Sequence, residues 1–245
     1  MSQINRRSML VSSSIAGAAA VASCLTAGLA DAQDAVRRGR FPVQRKPLQF
    51  QNADFYTEDG KFNVDKAKDA ILALCRYFHY PVFPGLKERL WVSDYGTGKF
   101  TELGLAAVGF CNNNKDELGQ TFMLQDLFLL PGQMLPEHWH IQGDGVAVKN
   151  EGWIIRCGQS FIVGIGEDNL PTDMKIPACH MNGTVETKHG QWAMPGQYVQ
   201  LAKVETKHWQ MAGPEGCIIS EVANLHTDSA VRHNDQAIND NFLGK

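Results

Sequence analysis

The sequence has no large excess of charge of either sign. Its 23 Lys and Arg face 26 Asp and Glu, leaving a net charge of -3. That balance gives no reason to expect nucleic acid or an anionic lipid surface as a partner. Cysteine is sparse and unpatterned. Cys24 falls in the N-terminal segment. The other five (Cys75, Cys111, Cys157, Cys179 and Cys217) are odd in number, irregularly spaced and without a CxxC pair. They outline no disulfide framework and read mostly as small buried hydrophobes. There is no internal repeat and no low-complexity stretch. What is present suits a packed protein, with 44% hydrophobic and 20% charged residues in a chain of 245, enough for one sizeable domain or two small ones. Its 23 glycines and ten prolines supply the turns of a β-rich chain.

Residues 1–32 are expected to stand apart from the fold. Paired Arg6 and Arg7 precede an Ala-rich apolar run from Val11 to Ala30, and Ala30-Asp31-Ala32 follows as a cleavage tripeptide. This is the layout of a bacterial signal peptide, and the paired arginines suggest the twin-arginine route to the periplasm. Ser, Thr and Gly interrupt the run, so no stable membrane anchor is expected. Residues 33–85 read as an N-terminal arm and helix. The arm, 33–54, is polar and basic. In the helix, Val64–His79, the residues Val64, Ala67, Ile71, Leu74, Cys75 and Phe78 recur at three- and four-residue steps; Asn63 caps its start and Pro81 blocks its continuation. Residues 86–245 form the main domain. Its short apolar runs (Leu103–Phe110, Phe122–Leu130, Trp153–Arg156, Phe161–Ile165, Tyr198–Leu201 and Cys217–Ala223) predict strands of an all-β sandwich or barrel.

Chemistry concentrates in one stretch. In His138-Trp139-His140 a strand would point both imidazoles to one side and Trp139 to the other. Two convergent neutral nitrogens suit Mn, Fe, Co, Ni, Zn or Cu. Gly132 stands before the pair in the spacing G-x5-H-x-H, and Glu151 opens an E-x6-G run ending at Gly158. Downstream, Gly196-Gln197-Tyr198-Val199-Gln200-Leu201 is followed by His208. His180, His189, His226 and His233 lack ligand spacing.

The two blocks resemble the two cupin motifs. That resemblance implies a single jelly-roll β-barrel in which His138, His140, Glu151 and His208 hold one divalent metal. Glu151 would lie on the return strand of a hairpin lengthened around Ile141–Gly145, and His208 would come from the opposing sheet. Glu137 and Asp144 are the nearest substitutes for Glu151. Lys149-Asn150-Glu151, then Ile154, Ile155, Arg156 and Gly158, and later Ser220-Glu221-Val222 before an Asn/Asp-rich tail, are similar to the bacterial D-lyxose isomerase family. Membership would imply a metal-dependent aldose–ketose isomerase that moves a proton between C1 and C2 through an enediol. It would also imply a small sugar as substrate and a homodimer. Glu221 matches the family's barrel-facing carboxylate and is the expected base. Lys149 is expected to bind a hydroxyl or polarise the carbonyl. Mn2+ is the foremost metal, because a protein exported folded can be loaded inside the cell; Zn, Fe, Co and Ni are the alternatives. Trp139, Trp153, Trp192 and Trp209 read as core or interface residues, one of them a candidate platform for the sugar ring. Two other readings compete: a metal-dependent dioxygenase cupin, and a non-catalytic carbohydrate-binding cupin.

Overall fold

The computed structural model describes residues 46–113, 120–143 and 147–245. The expected leader, residues 33–45 of the arm and Asp144 lie outside the described residues. Residues Pro47–Lys245 form one compact unit.

The first helix, α1 (Val64–Phe78), forms where its periodicity places it. The Asn63 side chain accepts a hydrogen bond from the Lys66 N–H, and His79 ends the helix in the left-handed region at φ 56°. Ala67, Ala70, Ile71, Leu74 and Cys75 are buried, whereas Val64, at the first turn, stays exposed. A short helix α2 (Leu86–Arg89) leads into nine strands: β1 (Trp91–Ser93), β2 (Leu105–Asn113), β3 (Phe122–Leu129), β4 (Met134–His140), β5 (Glu151–Gly164), β6 (His189–Ala193), β7 (Tyr198–Gln200), β8 (His208–Ala223) and β9 (Val231–His233). Helix α3 (Gln236–Phe242) follows. Among the described residues these strands make one curled sheet, ordered β1-β2-β3-β8-β4-β9 with β5, β6 and β7 joined through β8. The all-β expectation holds.

Alternation along β2, β3 and the second half of β8 sorts side chains between two of three apolar clusters. Leu105, Ala107, Leu127, Leu129, Cys217 and Ile219 pack into an inner cluster with Trp153, Ile155 and Ile162. Their neighbours Ala106, Val108, Phe128 and Ile218 pack into an outer cluster under α1, with Phe55 and Leu74. Because both faces are covered, these strands read as continuous apolar runs instead of alternating ones.

Two expectations are corrected. The runs Trp153–Arg156 and Phe161–Ile165 belong to one strand, β5, and Cys217–Ala223 is the second half of β8. The expected hairpin between β4 and β5 is not formed: β4 pairs with β8 and β9, and β5 pairs with β6, β7 and β8. The long connection leaves both strands free to pair with the longer β8. The Asn/Asp-rich tail forms β9 and α3.

The breaks inside β5 and β8 face each other. The pairing shifts register on both sides of Gly158, which lies opposite Cys217. Gly158 and Gly216 both have positive φ, 69° and 82°. A Cβ on Gly158 would drive into the backbone carbonyl oxygen of Gly216. Bulges of this kind bend a strand and turn it round a barrel corner. We expect Gly158→Ala to cost about 2–4 kcal/mol, read by urea unfolding. At Gly164 the φ is not positive and nothing lies within 4 Å of an added Cβ, so Gly164→Ala should change stability by about 0.5 kcal/mol or less. Equal effects at the two positions would refute the corner.

Candidate metal centre

Strand β4 carries His138 and His140 inward, both buried, while Trp139 is half-buried outside with Lys207 Nζ 5.0 Å from its ring centre. In register, His138 is opposite His208 of β8 and also opposite His233 of β9. Three imidazoles therefore line one row across three neighbouring strands, since directly opposed residues share a face. His208 comes from the strand hydrogen-bonded to β4, not from an opposing sheet as expected. One ligand nitrogen from each of His138, His140 and His208 lies within 4.8 Å of the others.

Glu151, at the first position of β5, completes the group. Its Oε1 is 3.0 Å from His140 Nε2 and 3.2 Å from His208 Nε2. These three atoms are buried, yet none has a hydrogen-bond partner of acceptable geometry. Buried polar atoms are nearly always satisfied. Three converging buried polar atoms with no hydrogen bond to satisfy them are the arrangement a cation would resolve. Two of the rings are also held in the tautomer a metal needs. His138 Nδ1 lies 2.9 Å from the Pro136 carbonyl and His208 Nδ1 2.9 Å from that of Thr206. A carbonyl only accepts, so each Nδ1 carries the hydrogen and each Nε2 offers its lone pair. Three imidazoles and a carboxylate suit a borderline divalent ion. The residues present fit a metal.

Electrostatics agree. Burial, then the neighbouring His208, His140 and His233, push the His138 pKa well below its ordinary value. Burial pushes His140 down to about 4 against the pull of Glu151. Burial works to raise Glu151, but Lys149, His140 and His208 overcome it and hold the carboxyl well below the usual range. Lys149 sits between two carboxylates, with Nζ 2.8 Å from Glu151 Oε2 and 2.5 Å from Glu221 Oε1. Burial works to lower its pKa, but the charges of Glu151 and Glu221 outweigh it and keep the ammonium above its ordinary value. Glu221 Oε2 also accepts from the Trp153 indole N–H at 3.4 Å.

These groups meet at a cavity of about 540 Å³, whose walls include His138, His140, Lys149 and Glu221. That volume falls in the usual range for small-molecule sites. Glu151 and His208 are not among its lining residues. All six residues picked out in the sequence are thus brought to one place. Glu137 is not a substitute ligand: it is on the other side of β4, where its carboxylate accepts from the Glu186 and Thr187 N–H groups, the Thr187 hydroxyl and the Asn234 amide. None of the four tryptophans considered as platforms lines the cavity. Its aromatic walls are Trp91, Tyr95 and Phe242. Sequence reasoning also missed His226 and His233, both of which line it. Only the pairing of β9 with β4 brings His233 in, and no spacing along the chain signals that.

Comparison with known proteins places these features. The family model for D-lyxose isomerase matches residues 90–240, more than half of the chain. The D-lyxose ketol-isomerase of Cohnella laeviribosi is 28% identical over 163 residues, 66% of this chain and 85% of that one. A D-lyxose/D-mannose isomerase of Thermosediminibacter oceani is 27% identical over 172 residues, 69% of this chain and 88% of that one. Among solved structures, ligand-free L-ribose isomerase of Cellulomonas parahominis superposes with a TM-score of 0.57 at 14% identity, covering 78% of this chain and 97% of that one. At that identity the likeness is one of fold.

Two outcomes are expected. His138→Ala and Glu151→Ala should each lower bound metal and melting temperature together, because a ligand of the native state adds its binding free energy to folding. Unchanged metal stoichiometry in both variants would refute the ligand set. The pH dependence has a definite sign. A histidine whose pKa is depressed by folding contributes stability that is fully present above its unfolded value and lost as pH falls through its folded value. The window therefore runs from about 6.5 down to about 4, the value for His140. A metal competes with protons for the same lone pairs. Dialysed holoprotein should keep its metal at about pH 5.5 and release it nearer pH 4. Release centred near pH 6.5 would contradict the burial argument.

Proposed function

Because the chain belongs to the D-lyxose isomerase family, we propose that its cavity interconverts an aldose and the corresponding 2-ketose, with D-lyxose as the first substrate. The observation that carries this reading is the buried Glu221–Lys149–Glu151 cluster set against three converging histidines, with Glu221, Lys149, His138 and His140 opening on one sugar-sized cavity. A cation held by His138, His140, Glu151 and His208 would supply Lewis acidity to stabilise the negative charge that develops on the sugar oxygens.

Glu221 is the proposed base. Its carboxylate is buried, faces the cavity, and is fixed by the Lys149 ammonium and the Trp153 N–H. It takes the proton from C2 of the open-chain aldose, and the electron pair becomes the C1–C2 double bond of an enediol. It returns the proton to C1, while the hydroxyl hydrogen at O2 passes to O1 and C2 becomes the carbonyl carbon. Atoms and electrons balance without a redox partner. Lys149 serves two ends. It fixes the Glu221 carboxylate through an ion pair, and its –NH3+ has three donors, of which Glu151 and Glu221 take two; the third can hold a sugar oxygen. A site for oxygen chemistry has no need of this acid–base pair, which favours the isomerase over a dioxygenase. Mn2+ as the metal, a homodimer, and twin-arginine export to the periplasm belong to the same proposal on sequence grounds.

The test is turnover of D-lyxose and other pentoses and hexoses in deuterated water with Mn2+, followed by NMR. Deuterium should enter C1 of the ketose or C2 of the aldose. Glu221→Gln should lower kcat by about 10²–10⁴ with metal content unchanged. Oxygen uptake with a flavonol or diketone, and no label in any sugar, would overturn the proposal.

A further inference from the structure

His233 takes no part in the chemistry above, yet it is built into the same cavity. It is 5% exposed, lines the cavity, and stands on the far side of His138 from His208. It is not one of the three histidines whose nitrogens converge. Its ring packs on Tyr95 with centroids 5.2 Å apart and on Phe242 at 4.8 Å. Its Nδ1 is buried without a hydrogen-bond partner among the described residues. This contrasts with His138 and His208, where a carbonyl fixes the tautomer. With neither nitrogen pinned, the edge of the His233 ring at the cavity can donate or accept, as a hydroxyl requires of its partner.

Tyr95 is held beside it with some insistence. It has φ 55°, an unfavourable conformation for a bulky residue that persists only when its surroundings impose it. Here they do. The Asp94 carboxylate accepts from the Gly96 and Gly98 N–H groups and from the Tyr56 hydroxyl, and Tyr95 N–H donates to Ser93 Oγ. The turn thus presents a buried Tyr95 to the cavity. If C1 and C2 of a sugar lie at Glu221 and Lys149, the rest of its chain has to occupy the remainder of the cavity. There it meets Tyr95, His233 and Phe242.

We propose that His233 and Tyr95 form a second subsite that binds the hydroxyls at the end of the sugar remote from the reacting carbons, and so selects substrate length and configuration. The proposal rests on the isomerase reading for its substrate. His233 binds through its ring nitrogen, Tyr95 contributes its hydroxyl, and Phe242 and the Tyr95 ring cover the C–H faces of the sugar.

The experiment compares wild-type holoenzyme with His233→Ala, using D-lyxose and 5-deoxy-D-lyxose. His233→Ala should raise KM for D-lyxose about tenfold, with kcat changed by less than about threefold and with metal content unchanged. Wild type should show a similar loss on the deoxy sugar, and His233→Ala should lose little more on it, because the missing hydroxyl and the missing imidazole remove one interaction. An unchanged KM, losses that multiply, or a fall in bound metal would each overturn the proposal. Should His233→Ala fail to fold, His233→Gln and Tyr95→Phe keep the volume and carry the same comparison. If wild type isomerises no sugar, it is the isomerase reading that fails. Saturation-transfer NMR with D-lyxose then tests the subsite without turnover. Loss of transfer to H4 and H5 in the variant, with H1 and H2 retained, supports it; an unchanged pattern overturns it.

Discussion

Strand β8 has to bend, and the site exists because it does. His208 and Glu221 lie thirteen residues apart on this one strand, a span of roughly 44 Å if it ran straight at about 3.4 Å per residue. Yet His208 touches Glu151, Glu151 touches Lys149, and Lys149 touches Glu221. Two side-chain groups bridge the whole distance. The fold achieves this at the facing glycines Gly158 and Gly216, whose positive φ and close backbone approach let β5 and β8 turn the same corner together. Each half of β8 then pairs with different neighbours, the first with β4 and the second with β3, and the strand's two ends meet over one cavity.

At that meeting point a single carboxylate divides its work. Glu151 turns Oε1 toward the imidazoles and Oε2 toward Lys149. The same side chain thereby links the proposed metal ligands to the proposed base. Burial keeps His138 and His140 neutral, and the two carboxylates keep the lysine charged. Two carboxylates and one ammonium leave an excess negative charge in a dry place, which a divalent cation would reverse. Buried ion clusters contribute little net stability, since desolvation offsets their attraction. Their value here is placement: charges fixed in advance need no reorganisation when negative charge develops on a substrate.

Much of this centre was legible in the chain because strand alternation is a local rule. His138 and His140 point together for that reason, whereas Lys149 reaches Glu151 from the connection just before β5. The helix α1 could be read from its Asn63 cap and its apolar steps. What escaped depended on pairing at a distance. No pattern announced that β4 would find β9 instead of β5, so His233 looked like a stray histidine. The halves of β5 read as separate strands, and only the second half of β8 stood out as a run, because a bulged glycine and a turn glycine look alike in a sequence. Glu137, next to His138, seemed a candidate ligand until the register put it on the outer face, occupied by Thr187 and Asn234.

The central claim is that Glu151 and three histidines hold one cation beside a lysine-paired base. It is tested most directly by diffraction from crystals of metal-loaded protein, collected above and below the metal absorption edge. The account predicts one anomalous peak bonded to His138, His140, His208 and Glu151 Oε1, with Lys149 still joining Glu151 Oε2 to Glu221. A peak elsewhere, or one that draws in Glu221 and expels Lys149, would contradict it.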